Sequence, residues 1–351
     1  MQETIAKYFD FTVFIGRFQP IHCGHIQTIR MALSQSDKLI MVIGSYKSAP
    51  STRQPWDAKQ RIAMIKKCLT QEERKKVFFI PIRDRIYSEF AWNQNIIHEV
   101  LNLAHKRMDS AVKPRNDEVK IALIGHNKDS SSYYLKNFPN WKFIETGNFQ
   151  NINSTDFRKS YFSNSAANYK FIPDKLKHWL KKYRKTAPFQ YLKDEYLFVE
   201  NRKKQLTQDS FIVANSLLLC GNYILLVRRK HFPGKYLFAL PGGHVEENET
   251  PQDAALRELM EETNIELNGD ELKNYFVSQS YYDYPERNPI ARYYAHVFFY
   301  RLNFTVCPKV TAGDDAQEAI WVLCDDLYSI EDKFFSDHYQ IIQVLLGRIC
   351  V

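Results

Sequence analysis

Residues 240–265 constrain the fold of this chain more than any other stretch: Leu-Pro-Gly-Gly-His-Val-Glu-Glu-Asn-Glu-Thr-Pro-Gln-Asp-Ala-Ala-Leu-Arg-Glu-Leu-Met-Glu-Glu-Thr-Asn-Ile. The second half is written as a helix, because Thr250 is a good N-cap, Pro251 suits the first helical position and Asp253 stands where a capping-box acid belongs. The glycines before it predict a loop. At about 100° per residue, Ala255, Leu256, Leu259, Met260 and Thr263 fall on one side, and Glu258, Glu261 and Glu262 gather on the other. One face packs and the other is a carboxylate cluster. Carboxylates held within a turn repel one another and raise each other's pKa, a cost that hard divalent cations remove. Oxygen-only ligands of this kind select Mg²⁺ or Mn²⁺ over zinc. Arg257 precedes the cluster and is placed to pair with Glu249 or Glu261, holding the loop against the helix.

Three glutamates alone describe an ordinary solvated helix, but their spacing is specific. Gly243, five residues, Glu249, seven residues, Arg257-Glu258, then Glu261-Glu262 and an apolar Ile265 resemble the signature of the Nudix hydrolases. Six fixed residues at roughly 6% usage each recur by chance on the order of 10⁻⁵ times in such a chain. The family has Gly where this chain has Asn264, a position just past the helix that wants a left-handed residue, for which Asn is the next best choice. The resemblance implies an α/β/α sandwich with a mixed sheet, and a metal set of Glu258, Glu261 and Glu262 with Gly242, Glu261 counting also among the catalytic acids. From the loop 311–318, with Asp314, Asp315 and Glu318, it implies a further ligand or base, Glu318 first and Asp315 second.

At 351 residues the chain is too long for one ordinary core and predicts two domains, and 44% hydrophobic with 25% charged residues reads as soluble and globular. No window approaches eighteen consecutive apolar residues, and the first residues lack a signal peptide's basic-then-apolar order, so a cytoplasmic protein without a membrane partner is expected. Cys23, Cys68, Cys220, Cys307, Cys324 and Cys350 are scattered with no C-x-x-C pair, which indicates neither a zinc site nor a disulfide framework. The net charge of +8 suits nucleic acid or phosphorylated small substrates. With no basic arm and no RNA-binding aromatic motif, the expectation is small-molecule nucleotides and no nucleic acid.

The first domain opens on an apolar run at 11–16, followed by Arg17-Phe-Gln-Pro-Ile-His22-Cys-Gly24-His25 and a helical pattern through Ile26, Ile29, Ala32 and Leu33. Further apolar runs at 38–44, 77–82 and 119–125 alternate with helical stretches such as 57–65, which predicts a doubly wound parallel sheet of Rossmann-like form. Ligands bind such sheets at the carboxyl ends of the strands, where 16–25 falls. His22 and His25 flank Gly24 at the start of the first helix, where N–H groups, the helix dipole and two imidazoles would converge on an anion. Gly16-Arg-Phe-Gln-Pro-Ile-His-Cys-Gly-His closely resembles the opening of the archaeal-type nicotinamide mononucleotide (NMN) adenylyltransferases, in the nucleotidyltransferase superfamily. Asn153-Ser154-Thr155-Asp156-Phe157-Arg158 stands where that family has a second phosphate-binding turn, although Asn153 and Asp156 depart from its commoner wording. The resemblance implies attack by the 5′-phosphate of NMN on the α-phosphorus of ATP, Mg²⁺ on the triphosphate, charge stabilisation by His22, His25, Arg17 and Arg158, and nucleotide contacts from Gly16, Gly24, Ser154 and Thr155. Trp92 and the turn Gln54-Pro55-Trp56 are candidates for stacking on the pyridine ring, with core packing as the competing role for both tryptophans.

Leu176, Trp179, Leu180 and Tyr183 repeat at helical spacing among lysines, and a less periodic connector follows. The expected organisation is a first domain over 1–185, a linker over 186–204 and a second domain over 205–351, in which 211–219 and 223–229 read as a hairpin through Gly221-Asn222. As a whole the chain resembles the bacterial bifunctional NMN adenylyltransferase/Nudix hydrolases. For the hydrolase, pairing with an NAD-forming domain points to ADP-ribose, split into AMP and ribose 5-phosphate. NADH-cleaving Nudix enzymes carry Ser-Gln-Pro-Trp-Pro-Phe-Pro, whereas this chain continues Ser278-Gln279 with Ser-Tyr-Tyr-Asp-Tyr-Pro. The following loop offers Arg287 and Arg292 to a diphosphate. Two other readings stay open: a Nudix fold that senses NAD metabolites without chemistry, and an adenylyltransferase acting on phosphopantetheine or a sugar phosphate. A homo-oligomer is compatible with the sequence.

Overall fold

A computed structural model describes residues 8–108, 119–126, 137–138, 140–147, 149, 152–163, 166–313 and 315–348. The first residues, Asp314 and Cys350, on which expectations were placed above, lie outside these. The chain divides into two compact units, Met1–Leu192 and Lys193–Val351.

The apolar runs of the first unit become a sheet buried on both sides, which is what near-continuous Val/Ile/Leu sequences require. In chain order the elements are β1 (Phe9–Gly16), α1 (Cys23–Gln35), β2 (Ser36–Ile43), α2 (Ala58–Cys68), α3 (Gln71–Lys76), β3 (Val77–Pro81), α4 (Glu89–Arg107), β4 (Ile121–Gly125), β5 (Lys142–Glu145), α5 (Ser154–Phe162) and α6 (Asp174–Tyr183). The strands lie in the order β3-β2-β1-β4-β5, all parallel. This is the doubly wound sheet expected from the alternation of strand and helix. The order reverses between β1 and β4, so the crevice beyond Gly16 lies at the switch point. One face of the core is Val13, Ile15, Ile40, Val42, Ile80 and Leu123 against Ile96, Val100 and Ala104 of α4.

Residues 187–204 are not an irregular connector but a helix, α7 (Ala187–Lys204), and the boundary between the units falls inside it. Its first turns carry Phe189 onto Tyr161 and Phe162 in the first unit. Its later residues belong to the second unit, so that unit starts earlier than residue 205.

The second unit contains β6 (Ser210–Cys220), β7 (Tyr223–Arg229), β8 (Phe238–Ala239), β9 (Gly242–His244), α8 (Pro251–Thr263), α9 (Gly269–Lys273), β10 (Phe276–Tyr282), β11 (Arg292–Leu302), β12 (Ala316–Leu323), a 3₁₀ helix (Asp326–Lys333) and α10 (His338–Leu345). The main sheet runs β10-β11-β6-β7-β12, with β8 on β7 and β9 on β6. It is mixed, because β6 and β11 pair in parallel from Ser210↔Arg292 to Cys220↔Leu302 while the other pairs are antiparallel. The β6–β7 hairpin turns through Gly221 at φ 57°, a left-handed position that suits glycine. Ala254, Ala255, Leu256 and Leu259 of α8 pack on Ala214, Leu218, Phe298 and Tyr300. Val213, Leu217 and Leu219, alternate residues of β6, are buried as well, so both faces of the sheet are covered. No helix among the described residues is long and apolar enough to cross a membrane.

Candidate active sites

The first-unit site begins with a cap. His22 is the N-cap of α1, and its Nδ1 accepts the N–H of His25 at 3.3 Å; Nδ1 of His25 accepts the N–H of His22 at 3.2 Å. The two rings stack with centroids 3.6 Å apart. Each ring uses its Nδ1 lone pair on a main-chain N–H, so its proton sits on Nε2. Burial first, then the neighbouring His22, holds His25 well below the usual histidine range. His25 therefore offers a neutral N–H donor where the sequence reading assigned it a share of positive charge. Gly24 accepts the stack closely, a Cβ there lying 3.3 Å from the His22 ring, and a Cβ on Gly16 would meet the Phe18 ring at 2.9 Å.

The second predicted phosphate turn closes on the same loop. Asn153 caps α5 through the N–H of Asp156 at 2.8 Å, Ser154 Oγ donates to the Pro20 carbonyl at 3.0 Å, and Arg158 Nη1 donates to the Gln19 carbonyl at 2.6 Å. Nη2 of Arg158 reaches Thr155 Oγ1 at 3.1 Å. The start of α5 thus stands beside the His22 end of α1, with a cavity of about 120 Å³ between Pro20, His22, Asn153 and Ser154. The positive ends of two helix dipoles thus lie together, a setting for phosphate oxygens. Arg17 follows β1 and is exposed, while its carbonyl is held from below by Arg61.

Arg61 was missed, since in a helix of mixed polarity an arginine reads as surface. It is 1% exposed and donates to the carbonyls of Arg17 at 2.8 Å, Gly44 at 2.7 Å and Ser45 at 3.2 Å, tying the carboxyl ends of β1 and β2 together. Burial lowers its pKa to about 10, still charged at neutral pH. Trp56 is 1% exposed among Tyr161, Trp179 and Tyr183, so it belongs to the core. Stacking on the pyridine ring is suggested for it by the family resemblance alone, with core packing as the competing role. Trp92 is half-buried on α4 and packs against the same sheet core.

In the second unit the signature helix forms as its sequence dictates. Thr250 Oγ1 accepts the N–H of Asp253 at 3.2 Å, Pro251 is the first helical residue, and Asn264 ends the helix in the left-handed region at φ 40°. Arg257 gathers the acids: it holds Glu249 at 2.7 and 3.1 Å, Glu258 at 2.9 Å, Glu261 at 3.0 Å and the His244 carbonyl at 3.1 Å. Glu262 turns the other way and accepts the N–H of Gly242 at 3.0 Å. Burial pushes Glu262 up to about 8 and raises Glu258 as well.

Among the described residues no three His, Cys, Asp or Glu side chains form a ready-made metal cage. The donor set nonetheless fits a hard divalent cation. The glycines expected in a loop form the short strand β9 instead; Glu258 lies so close to it that a Cβ on Gly243 would meet its Oε1 at 2.2 Å, and Glu262 is a half-buried carboxylate beside the Gly242 backbone. Oxygens alone, partly desolvated and clustered with one another, are the chemistry such ions take. Gly243→Ala is expected to push Glu258 out of place and to lower any cation-dependent activity of this unit about tenfold or more. Assays of both units on the purified variant check this, and unchanged turnover here would contradict the cradle.

A cleft of about 510 Å³ opens beside these acids. Glu258 and Glu262 line it; Arg202, Arg229 and Arg287 bring positive charge, and Phe198, Tyr293 and Phe335 bring aromatic side chains. Arg202 and Phe198 come from α7, the stretch read as a linker. Glu195, also on α7, accepts the N–H of Gly234 at 2.7 Å and so fixes the loop that carries His231 and Phe232 into the cleft. Of the sequence candidates, Arg287 lines the cleft and Arg292 does not, lying 3.6 Å from Asp283 instead. Asp315 lines the cleft, whereas Glu318 sits in β12 and pairs with Arg228 at 2.8 Å.

The NUDIX domain family matches residues 211–345, and the Cytidylyltransferase-like family matches residues 13–160. A bifunctional NMN adenylyltransferase/ADP ribose pyrophosphatase from Francisella tularensis, solved with AMP and a Mn ion, superposes with a TM-score of 0.88 at 32% identity. It covers 97% of this chain, which spans 99% of it. The chain belongs to the family of bifunctional NMN adenylyltransferase/Nudix hydrolases. Relatives match each activity separately. The nicotinamide/nicotinic acid mononucleotide adenylyltransferase of Acinetobacter baylyi is 32% identical over 189 residues, 54% of this chain and 94% of that protein. The ADP-ribose pyrophosphatase of Methanocaldococcus jannaschii is 32% identical over 142 residues, 40% of this chain and 76% of that protein. The His22/His25 cap thus belongs to the adenylyltransferase unit, and the carboxylate cleft to the Nudix unit.

Proposed function

We propose that the adenylyltransferase unit transfers AMP from ATP to nicotinamide mononucleotide, and that the Nudix unit hydrolyses ADP-ribose. In the first reaction an oxygen of the NMN 5′-phosphate bonds to the α-phosphorus of ATP, the bond to the β-phosphate oxygen breaks, and NAD and pyrophosphate leave. No protein nucleophile is required; two polyanions must be aligned and their developing charge stabilised. The Nε2–H donors of His22 and His25, the N-termini of α1 and α5, and the cations Arg17 and Arg158 supply that field, while Ser154 and Thr155 meet phosphate oxygens. Arg61 positions this loop from beneath without touching substrate.

The cleft supports the second assignment, because carboxylates, arginines and aromatic rings line it together, which suits a diphosphate linking two nucleoside-like groups. Glu258 and Glu262, with the Gly242 backbone, would hold Mg²⁺ or Mn²⁺, and Glu261 is kept at hand by Arg257. A bound divalent ion supplies Lewis acidity and lowers the pKa of water. Asp315, which lines the cleft where Glu318 does not, takes a proton from the attacking water. One phosphoanhydride bond is cleaved, giving AMP and ribose 5-phosphate.

The test is kcat/KM for ADP-ribose, NADH, 8-oxo-dGTP and diadenosine tetraphosphate under one Mg²⁺ condition, repeated in excess chelator. ADP-ribose is expected to lead the panel and chelator to abolish its turnover. NADH matching ADP-ribose would overturn the substrate, and full turnover in chelator would overturn the metal.

A further inference from the structure

Asp337, the partner of one arginine of the Nudix cleft, has no part in the scheme above. Asp337, the residue before α10, is 0% exposed, and Arg287, from the loop between β10 and β11, is 5% exposed. Nη2 of Arg287 donates to Oδ1 of Asp337 at 3.2 Å, and Nε lies 3.2 Å from Oδ2. Asp337 thereby takes one whole edge of the guanidinium. The main chain is pinned as well: Arg287 N–H donates to the Tyr284 carbonyl at 3.1 Å, and Ser336 Oγ donates to the Arg287 carbonyl. Next to the pair, His338 accepts the Leu240 N–H on Nδ1 at 3.1 Å, and burial drops its pKa to about 3, so it adds no competing charge.

Nη1 of Arg287 is buried and has no hydrogen-bond partner among the described residues. A buried ion pair that only joined two segments would be expected to use its donors on protein, because an unmet buried cationic N–H is costly. Here a charged edge is left over in a residue that lines the same cleft as Glu258 and Glu262. A guanidinium immobilised along one edge presents the other as a planar fork, which matches a phosphoryl group. We propose that Asp337 is a positioning residue that locks Arg287 so that the edge bearing Nη1 receives a phosphoryl oxygen of the substrate diphosphate. This rests on reading the Nudix unit as a hydrolase of nucleoside diphosphate derivatives.

The experiment titrates ADP-ribose and inorganic pyrophosphate calorimetrically into the full chain, with and without Mg²⁺, alongside steady-state kinetics and thermal melting. The variants are Arg287→Lys, Asp337→Asn and the double variant Arg287→Met/Asp337→Leu, which removes the pair without stranding a charge. Arg287→Lys is expected to weaken ADP-ribose binding about tenfold or more, since the fork is lost while the charge stays. Asp337→Asn is expected to raise KM with little change in kcat. The double variant is expected to melt near the parent yet bind ADP-ribose as poorly as Arg287→Lys, which separates loss of the fork from loss of folding, and a parental KM in Asp337→Asn, or in Asp337→Glu if Asp337→Asn does not fold, would overturn the positioning role. Parental affinity in either Arg287 variant would overturn the proposal. A parent that binds pyrophosphate but does not cleave ADP-ribose would overturn the substrate reading alone, and Arg287→Lys is then judged by its pyrophosphate affinity, where a loss supports the proposal and parity overturns it. A parent that binds neither overturns both.

Discussion

Glu262→Gln is expected to lower ADP-ribose hydrolysis by about 100-fold or more, because even outer-shell changes around a metal cost about 10- to 100-fold and Glu262 is the proposed direct ligand. NAD formation, assayed on the same preparation, is expected to stay at the parental rate. The substitution is a clean one. Glutamine can still accept the Gly242 N–H that Glu262 accepts at 3.0 Å, so the loop keeps its anchor. It also replaces a carboxylate whose burial is unfavourable enough to push its pKa to about 8 with a neutral group of the same shape. The metal-free variant is therefore expected to melt no lower than the parent. Separate assays with pyrophosphate release for the first unit and AMP release for the second give the result. Loss of both activities in a variant that melts normally would mean that the two units do not work independently.

What made Glu262 legible was locality. The N-cap, the Pro at the first position, the apolar stripe and the Asn at the end of α8 are all decided within one helix and are as the sequence predicted, although Asp253 accepts from Thr250 Oγ1 at 2.7 Å and does not complete a capping box. The parallel sheet of the first unit was legible for the same reason, since its strands are continuous apolar runs. What failed depended on distant chain segments. Residues 187–204 show no single stripe because Phe189 serves one core and Phe198 serves the cleft of the other unit, so the helical period is masked. Arg61 looked like a surface charge until three carbonyls from strand ends converged on it. Glu318 looked like a loop acid, but a register shift between Ala316 and Glu318 sets it opposite Arg228 on the neighbouring strand. Asp337 and Arg287 lie fifty residues apart, and nothing near either one announces the pair.

The histidine pair lies between these cases, because its motif is local and its chemistry is not. The spacing of His22 and His25 marked an anion site, yet the reciprocal cap that fixes both tautomers becomes visible only once the backbone of His22 is extended and that of α1 is helical. The cap makes a sharper prediction than the motif did. His25→Ala removes the Nε2–H donor and half of the cap together. Loss of a preorganised donor to the developing charge costs about 3 kcal/mol, or on the order of 10²-fold in adenylyl transfer. Loss of the cap costs about 1 kcal/mol of stability. His25→Glu separates the two effects. Glutamate at this position is the usual partner in a capping box and can accept the His22 N–H, so thermal melting is expected to stay close to the parent. It offers no donor and brings a negative charge against polyanionic substrates, so adenylyl transfer is expected to fall further than in His25→Ala. ADP-ribose hydrolysis is expected to be unchanged in both. If His25→Glu retained parental NAD synthesis, His25 would be a helix cap and nothing more.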